Sequence, residues 1–132
     1  NVTATRSVTA NFVPTLNVDG SDVASRYQPV TDGQIIVRYM QGLRGAALVA
    51  GSGVAGAMVT DPAAMATYLD SLGAKLDIDG NGTIDAATDG LLVARYMLGF
   101  RGEALIANAL GKSPRVRSTA EEIEAWLAAL MP

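Results

Sequence analysis

Between residues 16 and 130 the chain repeats itself, and that repetition limits its possible folds more than any other feature. "TDGQIIVRYMQGLRGAALVA" at 31–50 returns as "TDGLLVARYMLGFRGEALIA" at 88–107, an offset of 57. "LNVDG" at 16–20 returns as "LDIDG" at 76–80 at an offset of 60, so the first copy carries three extra residues within "SDVASRYQPV". "TDPAAMATYLDSL" at 60–72 lines up with "RSTAEEIEAWLAAL" at 117–130, where the offset of 57 is expected to hold. Two such copies, 16–75 and 76–132, imply two equivalent units in one domain, related by a pseudo-twofold.

Each copy reads as polar loop, helix, connector, helix. In the second copy a helix is expected from about Asp89 through "GLLVARYMLGF", apolar almost all round except for Arg95, hence central and buried. Gly99 stands where a glycine ends a helix. Ser118 and Glu121 form an S-x-x-E capping box, which makes Ser118 the expected N-cap of the last helix. Ile123, Trp126, Leu127 and Leu130 then recur at i, i+3, i+4 and i+7. The first copy has Asp61 as N-cap, Pro62 at the first helical position, and Met65, Tyr68, Leu69 and Leu72 as its stripe. The fold class is therefore all-α: two tandem loop–helix–connector–helix repeats after a short extended segment.

The loops carry the chemistry. Asp77, Asp79, Asp85 and Asp89 fall within thirteen residues, and carboxylates so close repel unless a cation sits among them. Asp77 at loop position 1 puts Asp79 at 3, Asn81 at 5, Gly82 at 6, Thr83 at 7 and Asp85 at 9, the D-x-D-x-N-G pattern of an EF-hand-like calcium loop. Alternate residues send oxygens inward, Gly82 allows the sharp turn, and Thr83 can offer its backbone carbonyl. Ile84 at position 8 is expected to anchor the loop in the core. The closing acid is Asp89 at position 13, with Thr88 at 12, where a twelve-residue EF-hand ends in Glu. The first copy offers Asn17, Asp19 and Ser21 at positions 1, 3 and 5 and Asp32 as closing acid, but Asp22 replaces the glycine. One Ca2+ ion is expected in the second loop; the first holds either a weaker second ion or none.

Residues 1–15 differ from the rest. "RSVTANFV" alternates Val8, Ala10 and Phe12 with polar neighbours, which is a strand pattern, and Pro14 closes it. The stretch resembles the last strand of internalin-type B-repeats on bacterial surface proteins, so 1–15 is expected to be an extended linker or the remnant of a preceding domain.

What the chain lacks excludes several functions. With no Cys and no His, thiol and imidazole catalysis are impossible, and a zinc site would need carboxylates alone. The net charge of −3 leaves no basic stripe for a nucleic acid. Lys112, Arg115 and Arg117 alone lie close together, and they read as a solvated loop. No apolar run reaches about 18 residues, so no membrane span is expected. No nucleophile–base set accompanies the acids, which stand at ligand spacing, so no enzyme is expected.

A calcium loop followed by one helix, twice over and with no helix before the loop, resembles the dockerin family across residues 16–130. The resemblance rests on Asp77–Asp89, on Asn17–Asp32 and on the paired "TDG…RYM…G" segments. It implies a calcium-dependent all-α module of a secreted or cell-surface bacterial protein, attached to a longer chain. As a partner it implies a cohesin-like domain. The repeat here is far longer than a dockerin repeat, and recognition positions 10 and 11 are Ala86 and Ala87. If the helix faces are exposed, Arg38, Tyr39, Arg95 and Tyr96 are the residues to test for docking; otherwise the rings are core and the Arg heads reach solvent.

Overall fold

A computed structural model describes residues 15–20, 27–52 and 61–132. Six α-helices are described: α1 (Gln34–Met40), α2 (Ala46–Val49), α3 (Pro62–Leu72), α4 (Leu91–Met97), α5 (Glu103–Ile106) and α6 (Ala120–Leu130). Among the described residues there is no strand, and no helix is long and apolar enough to cross a membrane. The strand expected in 1–15 lies, except for Thr15, outside the described residues, as does Ser21.

Both longer loops enter their helices through a widened turn. Pro29–Gly33 leads into α1 and Ala86–Gly90 into α4. In each, the closing glycine donates to a carbonyl five residues back: Gly33 to Gln28 and Gly90 to Asp85. Both helices also end alike. Gly99 (φ +95) donates to the Tyr96 carbonyl and Phe100 to that of Arg95; Gly42 (φ +88) and Leu43 bond Tyr39 and Arg38 in the same way. These are Schellman closures, and the left-handed backbone they require is cheap only for glycine. Arg95 then bonds the Leu105 and Ala107 carbonyls at the end of α5, as Arg38 bonds those of Leu48 and Ala50 after α2. Each arginine thereby satisfies carbonyls that a four-residue helix cannot satisfy itself.

The core draws on every element. Leu16, Ile36, Leu48, Met65, Leu69, Leu76, Ile78, Leu92, Leu105, Ile123 and Leu127 have no solvent exposure. Burying one such side chain stabilises the fold by about 1.5–3 kcal/mol. The stripes read from the two long helices are the buried ones, with Tyr68 and Trp126 half-buried at their edges. Where α1 crosses α4, the contact is reciprocal: a Cβ on Gly33 would stand 3.2 Å from Met97 Sδ, and one on Gly90 would stand 3.2 Å from Met40 Sδ. Each helix start approaches the far end of the other helix closely because neither glycine carries a side chain.

Three expectations are corrected. The N-cap of α6 is Thr119, not Ser118: its hydroxyl accepts from Glu122 N–H, and the Glu122 carboxylate accepts from Ser118 and Thr119 N–H. Two capping boxes overlap in "STAEE", and the later one sets Ile123, Leu127 and Leu130 on the core. The matching positions in α3 and α6, Leu69 and Leu127 among them, are consequently 58 apart rather than 57. Ile84 is 39 % exposed and does not anchor the loop, because the chain at Asp85 is already turning into the widened turn.

Candidate metal centre

The sequence Asp77-Ile78-Asp79 alternates acid, apolar, acid. Ile78 is driven into the core, and its neighbours must leave by the other side. Gly80 (φ +71) and Gly82 (φ +89) then turn the chain back in a backbone region that other residues rarely adopt. The result brings Asp77, Asp79 and Asp89 together: one carboxylate oxygen from each lies within 4.8 Å of the other two. All three are buried, Asp79 and Asp89 completely.

Their polar partners among the described residues are backbone N–H groups. Asp77 accepts from Gly80, Asn81 and Gly82, and Asp79 from Asn81 and Gly111. Asp89 ties the loop's two ends, taking Ile78 and Asp79 N–H on Oδ1 and Asp85 N–H on Oδ2. Burial pushes its carboxyl up to about 6, with Asp79 as a like-charged neighbour adding to the rise and the N–H groups opposing it. Three buried acids this close together form a cluster able to hold a metal ion.

The widened turn Ala86–Gly90 sets where Asp89 stands relative to the loop. Such a turn takes up one residue more than an α-turn and brings Asp89 back onto the Asp85 N–H at its start.

The other expected ligands are arranged differently. Asp85 is exposed, and its side chain accepts from Ala87 N–H, capping the turn rather than joining the three acids. Asn81 accepts from Thr83 N–H. Asn81, Thr83, Asp85 and Thr88 line an open groove of about 520 Å3 together with Leu110, Gly111 and Lys112.

In the first loop, Asp32 repeats the part of Asp89. It is fully buried and accepts from Asp19 N–H at 3.2 Å and Gln28 N–H at 3.0 Å. Burial pushes it up to about 6 as well, with Asp19 as the like charge. Gly20 (φ +69) turns as Gly80 does, its N–H on the Asn17 carbonyl. Ser21 and Asp22, which would decide how many ligands this loop offers, lie outside the described residues.

Sequence reasoning missed the connector. Arg117, expected in a solvated loop, donates from Nε to the Ile78 carbonyl at 2.6 Å and from a terminal nitrogen to that of Asp77 at 2.9 Å. Its guanidinium lies 3.8 Å from the Trp126 ring centre. The docking candidates are tied internally: Arg38 and Arg95 hold carbonyls, Tyr39 bonds Asp70, and Arg44 and Arg101 cover the Tyr39 and Tyr96 rings.

No family model, no curated protein and no solved structure matches the chain. The class defined by the fold and the site is an all-α protein with a three-carboxylate cluster able to hold a metal ion.

Proposed function

We propose that the protein is a non-catalytic, calcium-binding module of a larger secreted or cell-surface bacterial protein, in which the ion stabilises the fold for a spacer, cap or docking role. The convergence of Asp77, Asp79 and Asp89 supports this reading best. Oxygens bound to one calcium ion at about 2.4 Å can stand no more than about 4.8 Å apart, and these three keep within that limit. Oxygen-only ligands select a hard cation, and in this reading Asn81, Thr83 and Asp85, which line the adjoining groove, would have to turn inward to complete the shell. Asn17, Asp19, Ser21 and Asp32 form the weaker site in the dockerin-like reading.

The two halves are read as tandem pseudo-twofold units, on the strength of the matched turns, closures and arginine contacts and the reciprocal Gly33–Met97 and Gly90–Met40 approach. Extracellular calcium, near millimolar, would stabilise a site of micromolar affinity by about 4 kcal/mol through mass action. Calcium titration by calorimetry tests the reading, with melting followed in calcium and in chelator. Binding together with a large rise in melting temperature is expected; unchanged heats and an unchanged melt would overturn it.

The second reading is docking to a cohesin-like domain. It would use the exposed Val30 (70 %) and Ala87, which stand 57 apart in the two copies, the latter apolar where dockerin recognition positions are usually polar. Val30→Asp should abolish capture of such a β-sandwich partner while leaving calcium binding intact.

A further inference from the structure

The connector between α5 and α6 is threaded against the outer edge of the second loop. Four consecutive loop carbonyls are engaged by two of its residues: Gly80 by Val116 N–H, Asp79 by Arg117 N–H, and Ile78 and Asp77 by the Arg117 guanidinium. At its other end Gly111 N–H donates to Asp79 Oδ2 at 2.6 Å. Arg115 closes the intervening bend by bonding the Gly111 carbonyl and Ser113 hydroxyl.

Both approaches depend on missing side chains. A Cβ on Gly111 would lie 2.1 Å from Asn81 Nδ2 and 2.9 Å from Asp79 Oδ2, and one on Gly80 would lie 2.7 Å from Val116 Cβ. The guanidinium is in turn held over Trp126, whose indole N–H bonds the Lys75 carbonyl just ahead of the loop. Arg117 thus joins the loop backbone to α6.

We propose that residues 111–117 are a strap that fixes the loop for the ion, with Arg117 as its positioning residue; this rests on the metal-binding reading of the loop. Arg117 touches no ligand oxygen of the cluster. It fixes the backbone from which Asp77 and Asp79 project, and a planar, two-point donor holds both carbonyls in a fixed geometry that a lysine would reproduce only in part. An ion leaving the loop would have to disturb Asp79, which the strap holds on both its carbonyl and its carboxylate. The strap therefore sets how long the ion stays, and ion occupancy is transmitted to α6 through Trp126.

The test uses the whole chain and calcium itself. Arg117→Met, Arg117→Lys and Gly111→Ala are compared with Arg101→Met, which removes a similar guanidinium–ring contact away from the loop. Calcium release into excess chelator is followed by Trp126 fluorescence, and melting is measured in calcium and in chelator. Arg117→Met should release calcium about tenfold faster and lose more melting temperature in calcium than in chelator. Gly111→Ala should act in the same direction, Arg117→Lys should be intermediate, and Arg101→Met should release at the wild-type rate. A purely structural role would lower both melts equally and leave release unchanged; that result overturns the strap. Should Arg117→Met fail to fold, Gly111→Ala and Arg117→Lys decide by the same rate. A wild-type chain that binds no calcium overturns both readings, whereas tight wild-type binding with unaltered variants sinks the strap alone.

Discussion

The loops beginning at Asn17 and Asp77 share their frame and differ in their filling. Each ends in a buried aspartate, Asp32 or Asp89, that gathers the N–H groups of both ends of its loop. Each then enters a helix through a widened turn. The closing acid therefore has two separable jobs, since it forms the same bonds in a loop with fewer acids. It shapes the helix entrance in both halves, and it completes an acidic cluster in the second. At the two leading positions described in both loops, Asp77 and Asp79 stand against Asn17 and Asp19, one carboxylate fewer in the first loop.

The sharpest way to break this comparison is to strip the second loop. Asp79→Ala should abolish the tighter calcium site in calorimetry and lower the melting temperature in calcium by roughly 15 °C, the equivalent of about 4 kcal/mol in a domain of this size. Asn17→Ala should leave that site untouched. Equal effects of the two would mean that the loops are not ranked as described.

Replacing the closing acids separates their two jobs. Asp32→Ala and Asp89→Ala should each destabilise the chelated protein by about 2–3 kcal/mol, because buried loop N–H groups lose their acceptor. Only Asp89→Ala should also remove the tight site. Chemical denaturation in chelator, paired with calcium titration, reads both.

The pH dependence follows from the raised carboxyls. In metal-free protein, Asp32 and Asp89 hold protons up to about 6, well above the unfolded value near 3.9. Folded protein thus binds more protons between these limits, and the stability this contributes is complete below about pH 4 and lost as pH rises through about 6. Calcium needs the ionised form, so its affinity should rise over the same interval. The melting-temperature gap between calcium and chelator should widen from pH 4 to 7, and a constant gap would contradict the burial of these acids. The smallest effect concerns the last helix: Thr119→Ala should cost about 1 kcal/mol in thermal melts, and Ser118→Ala close to nothing.

The parts legible in the sequence were those with a local period or a local rule. Asp77, Asp79 and Asp89 stand at fixed spacing, Asp61 precedes Pro62 and caps α3, Gly99 ends α4, and Leu69 and Leu127 lie on regular stripes. Ser118 and Thr119 compete within two residues, and only packing of the stripe that follows decides between them. Ile84 was misplaced because an EF-hand position was assumed to keep its usual burial after the loop had been lengthened by one residue. Arg117 was missed for a different reason: it recognises backbone carbonyls about forty positions away, and carbonyls leave no mark in a sequence.

The crossing of α1 and α4 bears on how the molecule is made. Gly33, one residue after Asp32, is roofed by Met97, and Gly90 by Met40. A nascent chain leaves the ribosome from its N-terminal end, and domains ordinarily fold in that order. Here the start of the first half's helix lacks its native cover until Met97 has been made. Synthesis has to run past Met97 before either half is finished.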